Sequence, residues 1–468
     1  MVFVKGHFSS LLGSRGVEFQ DEMVAEYGPT LRLYGGFGEE LIFTVDPLLI
    51  HHVLVKERAK FDRPVASRLL LRSVFGGGLL AKSGDEHRAH RKLLNPVFTM
   101  KFLREFYSKP PKTGPRPNGG PHIRKTCEGI KKDIASSKNL SKEIDIFPWA
   151  TLAALELVGE AGLGYSFSSF TGERNEYHTA IKSVMQVHSK MGPFVKVLPY
   201  LYRIGTSSLR RWVLKHIPHH DIQQLQHAVE IQNQQAEEVI RKRQALIASG
   251  DDLLTQAGRG RDIMTLLMKA NETTGSKFHV SQQDMVGHMN TFVFAGHETT
   301  STAVAHILDI LAQKPRVQVK LREEIKEYFE KNSNDSHYDD LLELPYLDGV
   351  VRETLRLHGP APFLNRICEE DTVLPLKYEV RTPSGTLTSI PIKKGTGILI
   401  GVSASNKYKR IWGERAHEYF PERWIGSKIE DILKPGARLP GIYSSTMTFG
   451  AGSRSCMQVV DLYQVSKN

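Results

Sequence analysis

The stretch SQQDMVGHMNTFVFAGHETTSTAVAHILDILAQKP, residues 281–315, constrains the fold more than any other part of the chain. It opens on Ser281, whose hydroxyl can cap a helix N-terminus, and stops before Pro315, a residue that breaks helices. Apolar side chains cover nearly the whole circumference in the middle of the segment. The helix it predicts therefore has no solvent face there and must run through the protein's interior. A chain of 468 residues is long enough to enclose such a helix and to bury a cofactor completely.

The surrounding layers are mostly helical. Apolar residues recur at spacings of three and four in DPLLIHHVLVKERAKF, HRAHRKLLNPVFTMKFLREF, IDIFPWATLAALELVGEAGLG and LPYLDGVVRETLRLHGP. The Gln-rich stretch 219–249 reads as a solvated helix, and GDDLLTQAGRGR as a loop. Residues 150–164 are apolar but carry Glu156 and Glu160 and are too short to span a bilayer, so they read as a buried helix. Strand signals are confined to two places. LRLYGGFGEELIFTVDP predicts a hairpin at about 30–46, and residues 373–403, rich in Gly, Pro and β-branched side chains, predict a few short strands.

Residues 108–125, SKPPKTGPRPNGGPHIRK, crowd five prolines and three glycines among almost no apolar side chains. This predicts a non-helical surface insertion with nothing to bury. No repeat or linker divides the rest, so 1–468 is expected to form a single, mainly α domain with small β-sheets.

The net charge of +11 suits an anionic membrane surface or an acidic protein partner. Lys and Arg are dispersed among acids, with no basic stripe interleaved with aromatics, which argues against nucleic acid. Cys127, Cys368 and Cys456 are too few and too scattered for a disulfide framework, and a reducing compartment follows. The opening MVFVKGHFSSLLGSRG holds neither a signal-peptide core nor the roughly 20 apolar residues of a membrane anchor.

The chemistry-bearing residues lie in six segments. TFGAGSRSCMQ places Phe449, Gly452, Arg454 and Cys456 in the spacing F-x-x-G-x-R-x-C. A thiolate that ligates haem iron needs a loop whose backbone comes close to the sulfur, which glycine permits, and a nearby arginine can meet a haem propionate. A single cysteine in a glycine-rich loop is more often structural, and the four-residue constellation reverses that reading. VRETLR and FPERW supply Glu353, Arg356 and Arg423, two cations that can share one buried carboxylate. FAGHETTS sets Ala295, Gly296, Glu298, Thr299 and Thr300 inside the apolar helix, where an unpaired acid would be costly without a purpose. EHRAHRKLLNPVF carries His87 and Arg91, and FLNRICEEDTVLPL carries Arg366.

In their order along the chain the motifs resemble the cytochromes P-450, from about Tyr27 to Cys456, and fungal microsomal members most closely in RDIMTLLMKAN, LPYLDGVVRETLRLHGPAP and IWGERAHEYFPERW. The resemblance implies the cytochrome P-450 fold, a helical bundle around haem with small β-sheets. It implies haem b with Cys456 as the iron ligand in a loop shaped by Phe449 and Gly452. His87, Arg91, Arg366 and Arg454 would address the propionates, while Ala295 and Gly296 would leave room for oxygen. Glu298 and Thr299 would relay protons, and Glu353, Arg356 and Arg423 would form a structural ion-pair network. Electrons would come from NADPH through an NADPH-cytochrome reductase, and one atom of O2 would enter a small apolar substrate. The full-length form would sit on the cytosolic face of the endoplasmic reticulum membrane.

Three features depart from the family pattern. Gln458 stands where the family usually has glycine, and the chain ends at Asn468, so the C-terminal end is expected to be missing after about 458. The start shows no anchor, and 108–125 interrupts a region that the family fills with helix. Two alternatives stay open at this point: a truncated or mispredicted product that binds no haem, and a peroxide-dependent haem-thiolate enzyme. The acid–alcohol pair Glu298–Thr299 argues against the second.

Overall fold

The computed structural model describes residues 6–98, 120–137, 141–167, 180, 184, 197–249, 262–272, 279–332, 338–383 and 385–457. Its main elements in chain order begin with helix α1 (Gly16–Tyr27), strands β1 (Thr30–Tyr34) and β2 (Glu40–Thr44), helix α2 (Pro47–His51) and strand β3 (Phe61–Asp62). Helices α3 (Val65–Phe75), α4 (Gly84–Leu94), α5 (Gly120–Ala135), α6 (Ile146–Val158), α7 (Ser207–Lys215), α8 (His220–Ala248), α9 (Ile263–Glu272) and α10 (Gln282–Gln313) follow. Then come α11 (Pro315–Lys331), α12 (Pro345–Leu357) and strands β4 (Phe363–Cys368), β5 (Thr372–Thr382), β6 (Gly385–Ile392) and β7 (Gly397–Gly401). The chain divides into two compact units, 1–64 with 306–468, and 65–305.

The first unit holds all the strands among the described residues. The expected hairpin forms, with β1 antiparallel to β2 from Thr30 opposite Thr44 to Tyr34 opposite Glu40. It grows into a five-stranded mixed sheet, β1-β2-β7-β4-β3, in which β7 runs parallel to β2 and antiparallel to β4. Strand β7, GILIG, is buried along its whole length, as a central strand with two covered faces should be. Strands β5 and β6 pair separately, with a bulge between Pro375 and Val380.

Asp46 shows how the bulge is held. Its carboxylate caps α2 by accepting from the Leu48 and Leu49 amides, both at 3.0 Å. It also accepts from the amides of Lys377 (3.1 Å) and Tyr378 (2.8 Å), which lie within the bulge. One buried acid therefore satisfies a helix start and a gap in a β-ladder, groups that would be costly to leave unpaired. Ile398, Ile400, Leu54, Ile411, Trp412 and Ala451 lie in the core cluster beneath the sheet, so the segment that leads to Cys456 is packed on that sheet.

In the second unit the expected long helix is present. Ser281 caps α10 through its hydroxyl, which accepts from the Asp284 amide at 3.1 Å. Phe294 of α10 meets Phe75 of α3 at 4.6 Å between ring centroids, beside Leu70, Val74, Ala180, Val184 and Ala228. Near its start, α10 lies against the turn 76–78 so closely that a Cβ on Gly287 would fall 2.2 Å from the Gly78 nitrogen. Only glycine allows this approach of backbone to backbone. The helix is less uniformly apolar than its sequence suggests. His288, Asn290, His297 and Ser301 are fully buried on it. The Nε2 of His288 and the Nδ1 of His90 are 2.8 Å apart, and burial pushes these imidazoles down to pKa values of about 3 and about 4, so both stay neutral at ordinary pH.

One expectation is corrected. Of the segment 108–125, residues 108–119 lie outside the described residues, as do the expected loop 250–261 and Gln458. Gly120–Lys125, however, open helix α5 rather than belonging to a non-helical insertion. Pro121 is the second residue of that helix, where the missing N–H costs nothing because first-turn amides have no partner within the helix. The last residues of the proline-rich stretch thus start a helix.

Candidate functional site

The cysteine loop is built from close backbone turns. Gly450 and Gly452 both adopt φ of +70°, and a Cβ on Gly452 would stand 1.9 Å from the Leu54 carbonyl oxygen. No other residue fits at 452 without displacing that chain. The Gly450 amide donates to the Met447 carbonyl (2.9 Å), the Ser455 amide to Gly452 (3.2 Å) and the Cys456 amide to Phe449 (2.9 Å), so the loop folds back on its own start. The Phe449 ring meets Tyr443 edge-on at 5.4 Å. Just upstream, Ser444 and Ser445 are held in the left-handed region, at φ 50° and 53°. Arg352 donates to the Ser444 hydroxyl at 2.9 Å, and the Ser445 hydroxyl donates to the Leu439 carbonyl at 2.9 Å, which fixes this strained turn.

No disulfide joins the three cysteines; Cys456 and Cys127 are exposed and Cys368 is buried. The Cys368 thiol donates to the Glu370 carbonyl at 2.9 Å, and burial pushes its pKa up. It is a protonated, inward-facing sulfur and a poor metal ligand. Cys456 alone combines exposure with the glycine-shaped loop.

Two arginines expected from the sequence come together in this unit. Arg454 forms a 2.6 Å ion pair with Asp62 on β3. Arg366, on β4, is buried, and one of its nitrogens donates to the Asn365 carbonyl at 2.7 Å. Burial pushes the Arg366 pKa down to about 10; the nearby charge of Arg454 adds to the fall and Asp62 opposes it. Two guanidinium groups, Arg366 and Arg454, are thus gathered around Asp62 in a poorly solvated place. Charge-assisted hydrogen bonds from such groups are suited to carboxylates. Haem b carries two propionates, so this donor set fits the group.

The carboxylate of Glu353 is fully buried and surrounded by donors. Arg356 gives a bidentate pair, Nε to Oε2 at 2.9 Å and Nη2 to Oε1 at 2.8 Å, and Arg423 Nε reaches Oε1 at 2.9 Å. The three residues singled out as a network in the sequence do form one. The sequence reading missed two further donors, the Trp424 indole (3.0 Å to Oε2) and the Phe420 amide (3.0 Å to Oε1). Trp424 stood in the quoted FPERW, where an indole beside a buried arginine was the available signal. Arg356 also donates to the Asn406 and Ala416 carbonyls at 2.7 and 2.6 Å, which ties α12 to the segment 406–424.

The remaining expected residues lie in the second unit. His87 is buried and Arg91 half-buried on α4, one turn apart and so on one face. On α10, a Cβ on Gly296 would fall 2.6 Å from Val158 of α6, so packing against that helix is itself a reason for glycine there. The Thr299 hydroxyl donates to the Ala295 carbonyl at 2.7 Å. The Glu298 carbonyl accepts from the hydroxyls of Ser301 (3.1 Å) and Thr302 (2.8 Å). The carboxyl group of Glu298 reaches its neighbour His297, at 3.1 Å from Nε2.

Comparison with known proteins gives one answer. The family profile for cytochrome P-450 matches residues 7–457. Cytochrome P-450 monooxygenase 219 of Postia placenta is 36% identical over 464 residues, covering 97% of this chain and 82% of its own. The ganoderic acid synthetase of Ganoderma lucidum is 35% identical over 446 residues, covering 92% of this chain and 78% of its own.

Proposed function

The chain belongs to the cytochrome P-450 family and is a haem-dependent monooxygenase, and from that premise we propose which of its residues do the work. The observation that carries the assignment is the glycine-shaped Cys456 loop with the buried Arg366 and the Arg454–Asp62 pair in the same unit. The family profile crosses both compact units, which supports reading 1–468 as one haem-thiolate domain.

Cys456 would hold the iron of haem b, in the loop shaped by Phe449 and Gly452. Arg454 and Arg366 would hold propionates, with Asp62 keeping the Arg454 guanidinium in place before the cofactor arrives. His87 and Arg91 would take the same task from α4, and Ala295 and Gly296 would face the cofactor. A thiolate-ligated haem supplies reductive activation of O2, with cleavage of the O–O bond favoured by electron donation from sulfur. The protein's part in that chemistry is to deliver protons in order. Glu298 would load a proton toward the pocket. Thr299, whose hydroxyl hydrogen points to the Ala295 carbonyl, keeps its oxygen lone pairs available to receive one.

Thr299→Ala and Glu298→Gln are expected to slow the proton-dependent step by about 10²-fold, the lower end of what positioned proton transfer contributes. Oxygen would still be consumed, and the shortfall would leave as hydrogen peroxide. Peroxide released per NADPH oxidised, measured with an NADPH-cytochrome reductase and an apolar substrate, checks this; unchanged coupling in both variants would remove these residues from the route. The same assay tests the electron donor, since a chain that turned over with peroxide but never with reductase would contradict that part of the proposal. The net charge of +11 supports an acidic redox partner.

A membrane surface is the second proposed partner. Tyr200, Leu201, Ile204, Leu209, Trp212 and Leu214 are all exposed between Leu198 and Lys215, with exposed Arg203 and Lys215 among them. Apolar side chains interleaved with cations match an anionic bilayer interface. No described helix is long and apolar enough to cross a membrane. Replacing Ile204 and Trp212 by serine should weaken co-sedimentation with anionic lipid vesicles about tenfold or more, since each side chain loses part of the roughly 1.5–3 kcal/mol gained on full burial. Undiminished binding would contradict the placement.

A further inference from the structure

His297 has no task in the reading above, yet its surroundings are specific. It is fully buried on α10, and its Nδ1 lies 2.7 Å from the Val293 carbonyl oxygen, one turn back. A carbonyl oxygen only accepts, so Nδ1 carries the hydrogen, and in a neutral ring Nε2 is then a lone-pair acceptor. Among the described residues Nε2 has no hydrogen-bond partner. It lies 3.1 Å from Glu298 Oε1, at ion-pair distance but not aligned for a full hydrogen bond, and a small rotation of the carboxyl group would align them.

The charge state follows from that geometry. A neutral His297 facing an ionised Glu298 would set lone pair against lone pair at that distance, with the nitrogen shut off from water. One added proton converts the repulsion into a charge-assisted hydrogen bond, whether the proton rests on nitrogen or on oxygen.

We propose that His297 and Glu298 share one exchangeable proton between Nε2 and the carboxyl group, and that His297 is thereby the positioning residue that keeps Glu298 loaded. This rests on the reading of Glu298 and Thr299 as the proton route. The balance is simple. When Glu298 gives its proton to the pocket, the pair is left as neutral imidazole and carboxylate. One proton from water restores it, and no electrons move within the pair. Monooxygenation consumes protons at every turnover, so a pair that refills itself beside Thr299 would set how faithfully reducing equivalents reach product.

The test uses the full chain loaded with haem, in its reduced CO form, and has a spectroscopic and a kinetic arm. In 15N-histidine NMR and infrared difference spectra, wild type should show one of two signatures: a doubly protonated His297 ring, or a protonated Glu298 carboxyl band. Glu298→Gln assigns both, by removing the band or returning the ring to neutral. A neutral ring beside an ionised carboxylate would overturn the proposal without any variant having to fold. In the kinetic arm, His297→Asn and the bulkier His297→Gln should each raise peroxide released per NADPH about tenfold, with thermal stability as the control. If Glu298→Gln and Thr299→Ala uncouple turnover while both His297 variants fold and stay coupled, the His297 assignment falls alone. If none of the four uncouples, the proton-route reading falls with it.

Discussion

Glu353→Ala is expected to leave the chain without a stable fold. Burial alone would raise the pKa of this carboxyl, but the hydrogen bonds from Arg356 and the charges of Arg356 and Arg423 outweigh it and hold the group below its ordinary value. It is therefore ionised in the folded protein, and its removal strands two guanidinium groups with side-chain exposures of 0% and 8%. Breaking a buried pair from one side costs about 3–5 kcal/mol, and leaving the Trp424 indole and the Phe420 amide unsatisfied adds about 1–3 kcal/mol each. The sum is comparable with the net stability of a whole domain, about 5–15 kcal/mol. Glu353→Gln keeps the shape but not the charge and should still be severely destabilised. Because the folded pKa is depressed, the stabilisation is complete at neutral pH and is lost only as acid takes the pH down below the ordinary 4.5 and through the folded value. Soluble yield and the denaturant midpoint check this; a Glu353→Ala protein within about 1 kcal/mol of wild type, the size of an ordinary substitution, would contradict it.

The second large effect is expected at Cys456. A neutral serine hydroxyl cannot replace an anionic sulfur donor, so Cys456→Ser should lose all reductase-supported turnover and bind haem more weakly, while the fold survives. The loop does not depend on the sulfur, because its shape comes from Gly450, Gly452 and the Cys456 amide bond to Phe449. Cys127→Ser and Cys368→Ser should keep turnover, since one thiol lies exposed on α5 and the other is buried and protonated. A Cys456→Ser enzyme that retained turnover would move the ligand elsewhere.

The parts of this site that were legible in the sequence are those fixed by short spacing. Ser281 at the head of an apolar helical run predicted a cap, GGFGEE between alternating runs predicted a hairpin, and F-x-x-G-x-R-x-C predicted a tight loop; each is present. Glu353 and Arg356 are one helical turn apart, and the motif FPERW brought Arg423 to the same carboxylate. What the sequence hid are partners distant along the chain. Nothing local links Asp62 to Arg454, or the Lys377 and Tyr378 amides to Asp46, since only the completed sheet brings them together. Gly296 was read as space for oxygen, and its contact with Val158 could not be seen because close packing between helices leaves no periodicity. The helix that begins at Gly120 was masked by composition, for a proline that stops a helix in its interior is harmless in its first turn.

The most direct test of the central claim is an absorption spectrum. The full chain is loaded with haem, reduced and exposed to carbon monoxide. A haem held by the Cys456 thiolate gives the long-wavelength Soret band characteristic of sulfur ligation, and the band disappears in Cys456→Ser. A shorter-wavelength band, as for haem held by a neutral ligand, or no haem bound at all, would contradict the account.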